Sequence, residues 1–570
     1  MPPATGTAGT RTVSARPDAA TAWPLRPGVV ITVAALLGLG LRVFQLTRPG
    51  YLTGFTQYDD GVYIGNALRL VNGVIPYRDF AMVQPPGSML LMVPAALVGK
   101  AFGSVSALAI ARILTVGADT ANVVLAGLLV RHRGPLAAGV ASGVYAVYPA
   151  ALNASQSLFL EPWLNLFCLL GAVFLFDGDQ ITGLGGSGGP DGRTRGALWA
   201  GICFGFAAAI KIWAAVPALV AWAFCLAARR GRLSFAGGFV AGIAVPCLPF
   251  EILSASGFGR TVFVSELVQA THGRVGANPR VADITGIIGL TSVGVDPKIW
   301  AGLTAVGVLL LLVVTGWLRA RRAGSKATAL DWFALVSTFV VIGMLFTPSE
   351  WYEHYAAFAA PFLVVLVALS AARLFTPGKS RREKPDREKP VREKPGREKP
   401  GRTRRRIRLI SVAGVFTVLA IAAMGAADGY VVTTLYPATN LSAASALIPP
   451  GACVLTDTVS VTIALDRFSA SSPGCPAVVD TVGTLIATTH GKDFVGGPGV
   501  LQADTQVWQQ AFQQAQYVWL VGNNGYTGAR IAWTPSLYAY FVSHFRLIGL
   551  PSSFSGLGNV PGGGLYVRRN

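Results

Sequence analysis

Few residues in this chain are placed to do chemistry, and the first are two adjacent carboxylates in Tyr58-Asp59-Asp60-Gly61. Tyr77-Arg78-Asp79-Phe80 and Gln84-Pro85-Pro86-Gly87 follow. Glu161 opens an apolar run, Lys211 ends another, and Glu350-Trp351-Tyr352-Glu353-His354-Tyr355 separates two more. Ionisable groups at membrane depth are costly and tend to mark function. Each also has a plain structural reading. Adjacent acids in an aqueous loop are usually just solvated, and Glu161 suits a helix N-terminus. Lys211 can snorkel to an interface, and His354 can sit in an interfacial aromatic belt. If the groups converge, they support transfer from a phosphate-linked donor. A carboxylate, Asp59 or Asp60 with Glu161 as a further acid, takes the proton of an attacking hydroxyl. Arg78, Lys211, His354 and Tyr355 then meet the donor, and the cations offset charge growing on the departing phosphate. A divalent cation is an open alternative, with Asp59 and Glu161 as its ligands.

The elements that must position these groups follow from hydropathy. The 570 residues are 52% hydrophobic and 13% charged, too little charge to cover a soluble surface of this length. Apolar runs recur, each long enough for a hydrocarbon core of roughly 30 Å. The expected fold class is a polytopic α-helical membrane protein with a small C-terminal extracytoplasmic α/β domain. Cytoplasmic flanks favour Lys and Arg, which orders the spans as 28–46, 105–130, 135–153, 158–176, 196–211, 213–228, 233–253, 299–318, 330–347, 356–373 and 408–427. That is about eleven transmembrane helices in a domain over 28–427, with the N-terminus cytoplasmic and the C-terminal domain extracytoplasmic. The apolar stretch 87–103 must then be juxtamembrane or re-entrant. If it crossed, Arg131, His132 and Arg133 would land outside and every later basic loop would invert. With this choice Asp59, Glu161, Lys211 and His354 share the outer side. Residues 213–228 follow so closely on 196–211 that a broken helix around Lys211 and Pro217 is expected.

The net charge of +20 is mostly one segment. Residues 373–408 hold sixteen Lys/Arg and five Asp/Glu, with Arg-Glu-Lys-Pro repeated from Arg382, Arg387, Arg392 and Arg397. Proline every fifth residue forbids a stable helix. The stretch 374–407 reads as a basic cytoplasmic loop touching anionic lipid. No aromatic platform accompanies it, so nucleic acid is not an expected partner. Residues 1–27 read as a disordered cytoplasmic tail, and the apolar segment after them as an anchor. The loop 47–104 is the expected catalytic outer loop. In 428–570, Cys453 and Cys475 are expected to pair as an exported disulfide. Short strand-like runs there alternate with helix-like ones. Trp508, Trp519, Tyr526 and Trp533 serve either as a glycan-stacking surface or as the core of this domain.

The order of these features resembles the GT-C glycosyltransferases, in particular family 39 with its protein-mannosyltransferase and aminoarabinose-transferase relatives. The shared features are a first helix, an acidic pair in a long loop, Pro-Tyr-Arg-Asp-Phe and Gln-Pro-Pro-Gly, Leu160-Glu161-Pro162, and Gly205 followed by Lys211. The resemblance covers roughly 28–427, while the cysteine-containing domain and the Ala/Gly/Arg-rich composition resemble actinobacterial cell-wall members. It implies an inverting displacement on a polyprenyl-phosphate sugar, such as mannose or arabinofuranose. The acceptor would be a cell-envelope glycan, lipid or protein on the outer face of the plasma membrane. In that pattern Asp59 is the general base, Asp60 a supporting acid, Glu161 the second-loop acid and Lys211 a donor-phosphate contact. The acid-rich Glu353-His354-Tyr355 departs from it where relatives often carry Arg or His, and Asp-Asp stands where many have Asp-Glu. Two other classes fit less well. A secondary transporter would place charges at the midplane and show related halves, and a lipid-diphosphate-linked polymer ligase would use similar groups on a different donor.

Overall fold

The computed structural model describes residues 26–181, 190–265, 295–322, 324–347, 352–375, 441–470, 474–490, 501–521, 530–549 and 561–569. Nearly all of the expected N-terminal tail and basic loop lie outside the described residues. So do the span at 408–427, Glu350 and Tyr526.

The membrane part is a bundle of α1 (Pro27–Leu46), α2 (Tyr58–Val71), α3 (Gly87–Phe102), α4 (Ser104–Val130), α5 (Pro135–Val147), α6 (Pro149–Ser155), α7 (Glu161–Leu175), α8 (Pro190–Ile210), α9 (Ala215–Ala227), α10 (Arg232–Leu253), α11 (Val295–Arg322), α12 (Ala329–Leu345) and α13 (Ala360–Phe375). Among the described residues, four helical stretches are long and apolar enough to cross a membrane: Pro27–Leu46, Ser104–Arg133, Arg232–Leu253 and His354–Phe375. The pair α5–α6, bent by 54° at Pro149, makes a fifth if it acts as one span. Shorter apolar stretches are Gly87–Phe102, Glu161–Leu175, Arg195–Ile210, Ile212–Ala227 and Ala329–Leu345, so among the described residues length alone does not reach the eleven spans expected. Val33, Leu36, Leu233, Val240, Val245 and Ile252 stand exposed on α1 and α10, as suits side chains facing lipid acyl chains.

Small residues set the closest helix contact. A Cβ on Gly201 or Gly205 of α8 would fall 2.1 or 2.2 Å from the carbonyl oxygens of Phe235 and Phe239. Gly238 and Gly242 of α10 make the same approach to Leu198 and Ile202. Glycines four apart on both helices bring the two backbones together, which drives association where lipid removes the hydrophobic drive.

The bundle has two chemically different ends. Arg131–Arg133, the Arg229–Arg232 turn, and Arg319, Arg321 and Arg322 gather at one end. There Arg133 pairs with Asp179 at 2.8 Å, and Asp331 is shared by Arg133 and Arg373. Asp59, Glu161, Lys211 and His354 gather at the other, at or beside the opposite termini of the same helices. Both ends of α3 belong to this second end: Gly87 abuts the backbone of Ala209, and Gly103 abuts Asp466. The apolar stretch at 87–103 therefore lies across the site end and does not run the length of the bundle.

Residues 441–569 add α14 (Ser442–Leu447), α15 (Val459–Ala464), α16 (Thr481–Thr489), α17 (Gln502–Gln514) and α18 (Pro535–His544). Four strands, Val454–Thr456, Tyr517–Leu520, Phe545–Gly549 and Gly564–Arg568, make a mixed sheet. The first pairs parallel with the second; the second and third flank the fourth antiparallel. Cys453 and Cys475 are disulfide-bonded, with Cα atoms 5.1 Å apart. Trp508 and Trp519 are buried, and Trp533 stacks on Phe512 at 5.6 Å, so these three aromatics pack as core. Val459, Ile463 and Val479 join the apolar cluster of the helix bundle. These three residues pack the region onto the bundle, while Trp508, Phe512, Phe541 and Phe545 belong to a separate apolar core behind them.

Candidate active site

The tandem acids on α2 have opposite environments. Asp60 is fully buried and its carboxylate is saturated. One oxygen takes the Arg112 guanidinium and the Thr56 hydroxyl; the other takes the Ser157 hydroxyl and, at 2.7 Å, the backbone N–H of Leu158. Arg112 continues to the Tyr51 carbonyl at 2.6 Å. Asp60 thus ties the first turn of α2 to α4 and to the chain entering α7. A buried carboxylate with both oxygens occupied by donors is held rigidly, so it fixes the geometry of this turn.

Asp59 points elsewhere. It is partly exposed, and among the described residues no hydrogen-bond donor reaches its carboxylate. Burial, then the charges of Asp480, Asp60 and Glu161, push its carboxyl up to about 7, against an opposing pull from Lys211. A carboxyl raised toward neutrality, with no donor on it among the described residues, is available to take up a proton.

Glu161 is the first residue of α7 and is fully buried. Its Oε1 lies 3.3 Å from Lys211 Nζ, while Oε2 is buried with no partner among the described residues. Buried orphan oxygens are rare in stable cores and call for a functional or ligand explanation. Lys211 sits where α8 breaks: its backbone is extended (φ −150°, ψ 128°) before a short 3₁₀ turn leads into α9. The expected break thus falls at Lys211, and Pro217 lies inside α9. The ammonium is held over the Trp213 ring at 3.5 Å and the Tyr355 ring at 4.2 Å. Aromatic faces offset part of its desolvation. His354 stacks on Phe159 with ring centroids 3.9 Å apart and meets Tyr355 edge-on at 4.8 Å. Phe159 follows the Leu158 amide anchored by Asp60, so one buried acid orders both Glu161 and the His354 platform.

Arg78 stands apart from this group. It is half exposed and pairs with Asp79 at 2.8 Å. Tyr77 before it, with a left-handed φ of 64°, turns its ring against Phe250 and Phe258. Among the described residues no group of three His, Cys, Asp or Glu side chains could hold a metal ion.

Several residues escaped the sequence reading. Arg112, and the buried pair Arg42–Asp119 at 2.6 Å, lie in spans read only as apolar. A lone charge inside such a run was the available signal. Asp119 also accepts from Tyr145 and Asn122, and Asn165 bonds Tyr145 and the Ala357 carbonyl. This ladder ties α1, α4, α5 and α7 to the segment carrying His354. Asp480, more than four hundred residues beyond Asp59, carried no local signal.

Residues 83–348 match the model of glycosyltransferase family 87, a differently numbered family from the one the motifs resembled. No curated protein matches the chain in sequence. Among solved structures, ArnT from Cupriavidus metallidurans bound to undecaprenyl phosphate superposes with a TM-score of 0.54 at 15% identity, covering 92% of this chain and 96% of that one. The apo state of the same protein gives 0.54 at 14% identity, covering 95% and 98%. The family match spans less than half of the chain, and at 14–15% identity the two superpositions show that the chain shares the fold of ArnT.

Proposed function

We propose that the chain transfers a sugar from a polyprenyl-phosphate donor to a cell-envelope acceptor, with inversion and with Asp59 as general base. The observation that carries this reading is the division of labour between the tandem acids. Asp60 is saturated, while Asp59 has no hydrogen-bond partner among the described residues, is pushed up to about 7 and has the Glu161–Lys211 pair among its charged neighbours. In the reaction the acceptor hydroxyl attacks the anomeric carbon and gives its proton to Asp59. The bond from that carbon to the phosphate oxygen breaks, and its electron pair stays on the lipid phosphate, which gains one negative charge. Lys211 is the cation at hand for that charge, and a phosphate arriving there would compete with Glu161 for it. His354 and Tyr355 line the same side. The lipid carried by the ArnT structure supports the donor class. Segregation of basic residues to the far end of the bundle supports an outer-face site, a cytoplasmic N-terminus and an extracytoplasmic C-terminal region. Mannose and arabinofuranose are the first sugars to test.

The test is transfer in membranes supplied with labelled polyprenyl-phosphate mannose or arabinose. Asp59→Asn should lower transfer by about 10²–10⁴-fold. Full activity in that variant would remove Asp59 as base. Absence of transfer from both donors by the unaltered protein would remove these two sugars.

A further inference from the structure

We propose that Asp480, from the C-terminal region, is a positioning residue for Asp59: it anchors the hydroxyl of the adjacent Tyr58 and sets a second negative charge facing the base. The role it sharpens in catalysis rests on the reading of Asp59 given above, but the geometry does not.

The first turn of α2 is clamped from the C-terminal region on both sides of Asp59. On one side, Tyr58 Oη donates to Asp480 Oδ1 at 2.7 Å and accepts from the Thr481 amide at 2.8 Å. The Arg530 guanidinium lies over the Tyr58 ring, 4.4 Å from its centre. On the other side, Ser460 Oγ accepts from the Gly61 amide at 2.8 Å and donates to the Tyr58 carbonyl at 2.7 Å. The approach is so close that a Cβ on Gly61 would sit 2.2 Å from the Ser460 nitrogen. Lower down, Arg69 donates to the Pro476 carbonyl at 2.6 Å, and Asp466 accepts from the Ser104 amide at 2.6 Å. The base therefore stands in a turn whose flanking residues are held by a segment some four hundred residues away in sequence.

The charged and titratable groups facing Asp59 are Asp60 and Tyr63 on its own helix, Glu161 on α7, Lys211 at the α8 break and Asp480. Of these charges Asp480 acts on Asp59 most strongly. Burial pushes Asp480 itself upward. The Gly483 and Val482 amides, the Tyr58 hydroxyl and Arg530 oppose that and favour its ionised form. Asp60 is paired with Arg112 and Glu161 with Lys211, both from within the bundle, whereas Asp480 is supplied by the C-terminal region.

The test needs no sugar donor. The full-length protein in detergent is treated over a pH series with a water-soluble carbodiimide and glycine ethyl ester, which together amidate protonated carboxyls. Labelling of the Asp59 peptide is read by mass spectrometry. The unaltered protein should give a midpoint near 7. Asp480→Asn keeps an oxygen for Tyr58 but removes the charge, and should lower the midpoint by roughly 0.5–1 unit. Asp480→Ser serves if the Asn variant does not accumulate, and Asp480→Glu should return at least half the shift. Asp466→Asn, which loosens the same docking without facing the base, should leave the midpoint in place. An unchanged midpoint in both Asp480 variants, or an equal fall in Asp466→Asn, overturns the proposal. Failure of Asp59 as base would appear separately, as surviving transfer in Asp59→Asn with the labelling shift intact.

Discussion

At neutral pH the fold holds Asp59 against its own preference, so removing its charge should stabilise the protein while lowering transfer by about 10²–10⁴-fold. Its carboxyl is raised from 3.8 to about 7 by burial and by three neighbouring acids. Between those values the folded chain binds more protons than the unfolded one, so stability falls as pH rises from about 4 to about 7. Above 7 the full cost is present; below 4 both states are protonated and the cost vanishes. Roughly three units correspond to about 4 kcal/mol at most. Asp59 is partly exposed, and solvent screening brings the expectation to about 2–4 kcal/mol. Asp59→Asn should therefore unfold several degrees higher than the unaltered protein at pH 8 and at the same temperature at pH 4. Thermal unfolding in detergent at the two pH values measures this, beside the transfer assay. An Asn variant that is less stable at pH 8 would mean that the carboxylate makes a structural bond, and the base assignment would fall with it.

Asp60→Asn should behave in the opposite way, because it leaves Arg112 buried without its counter-charge; a loss of about 3–5 kcal/mol is expected in the same unfolding experiment. Lys211→Met should lower turnover by about 10²–10³-fold. Lys211→Arg should restore it only in part, since the larger guanidinium cannot hold its charge at the point the compact ammonium occupies between the two rings and Glu161. Gly61→Ala forces a methyl into the Ser460 backbone and should cost about 1–3 kcal/mol. Limited proteolysis should then cut residues 441–569 faster than in the unaltered protein.

Much of the bundle was legible from hydropathy and charge. The run at 105–130 became Ser104–Val130, 233–253 became Arg232–Leu253, and the chain breaks at Lys211. Apolar length predicts helices because the backbone must satisfy its own hydrogen bonds in lipid. Basic flanks predict which helix ends lie together, since translocating Lys and Arg is disfavoured. The same logic laid 87–103 across one end. It could not rank Asp59 against Asp60, since both are acids in the first turn of one helix. Arg112, Ser157 and the Leu158 amide chose between them, and those partners arrive from α4 and from the chain entering α7.

Residue type and spacing alone thus determined a membrane-embedded bundle, a charge-segregated pair of ends, and a short set of acids and cations at the end poor in arginine. Tertiary structure alone decided which acid is locked and which has no donor among the described residues, that Lys211 is paired and caged, and that the C-terminal region supplies Asp480 next to Tyr58 and Asp59. The physical reason is one of range. Hydropathy and positive-charge bias act along the chain and leave a local imprint. Saturation of a carboxylate, and the field one acid exerts on another, depend on distances of a few ångströms between segments that sequence places hundreds of residues apart.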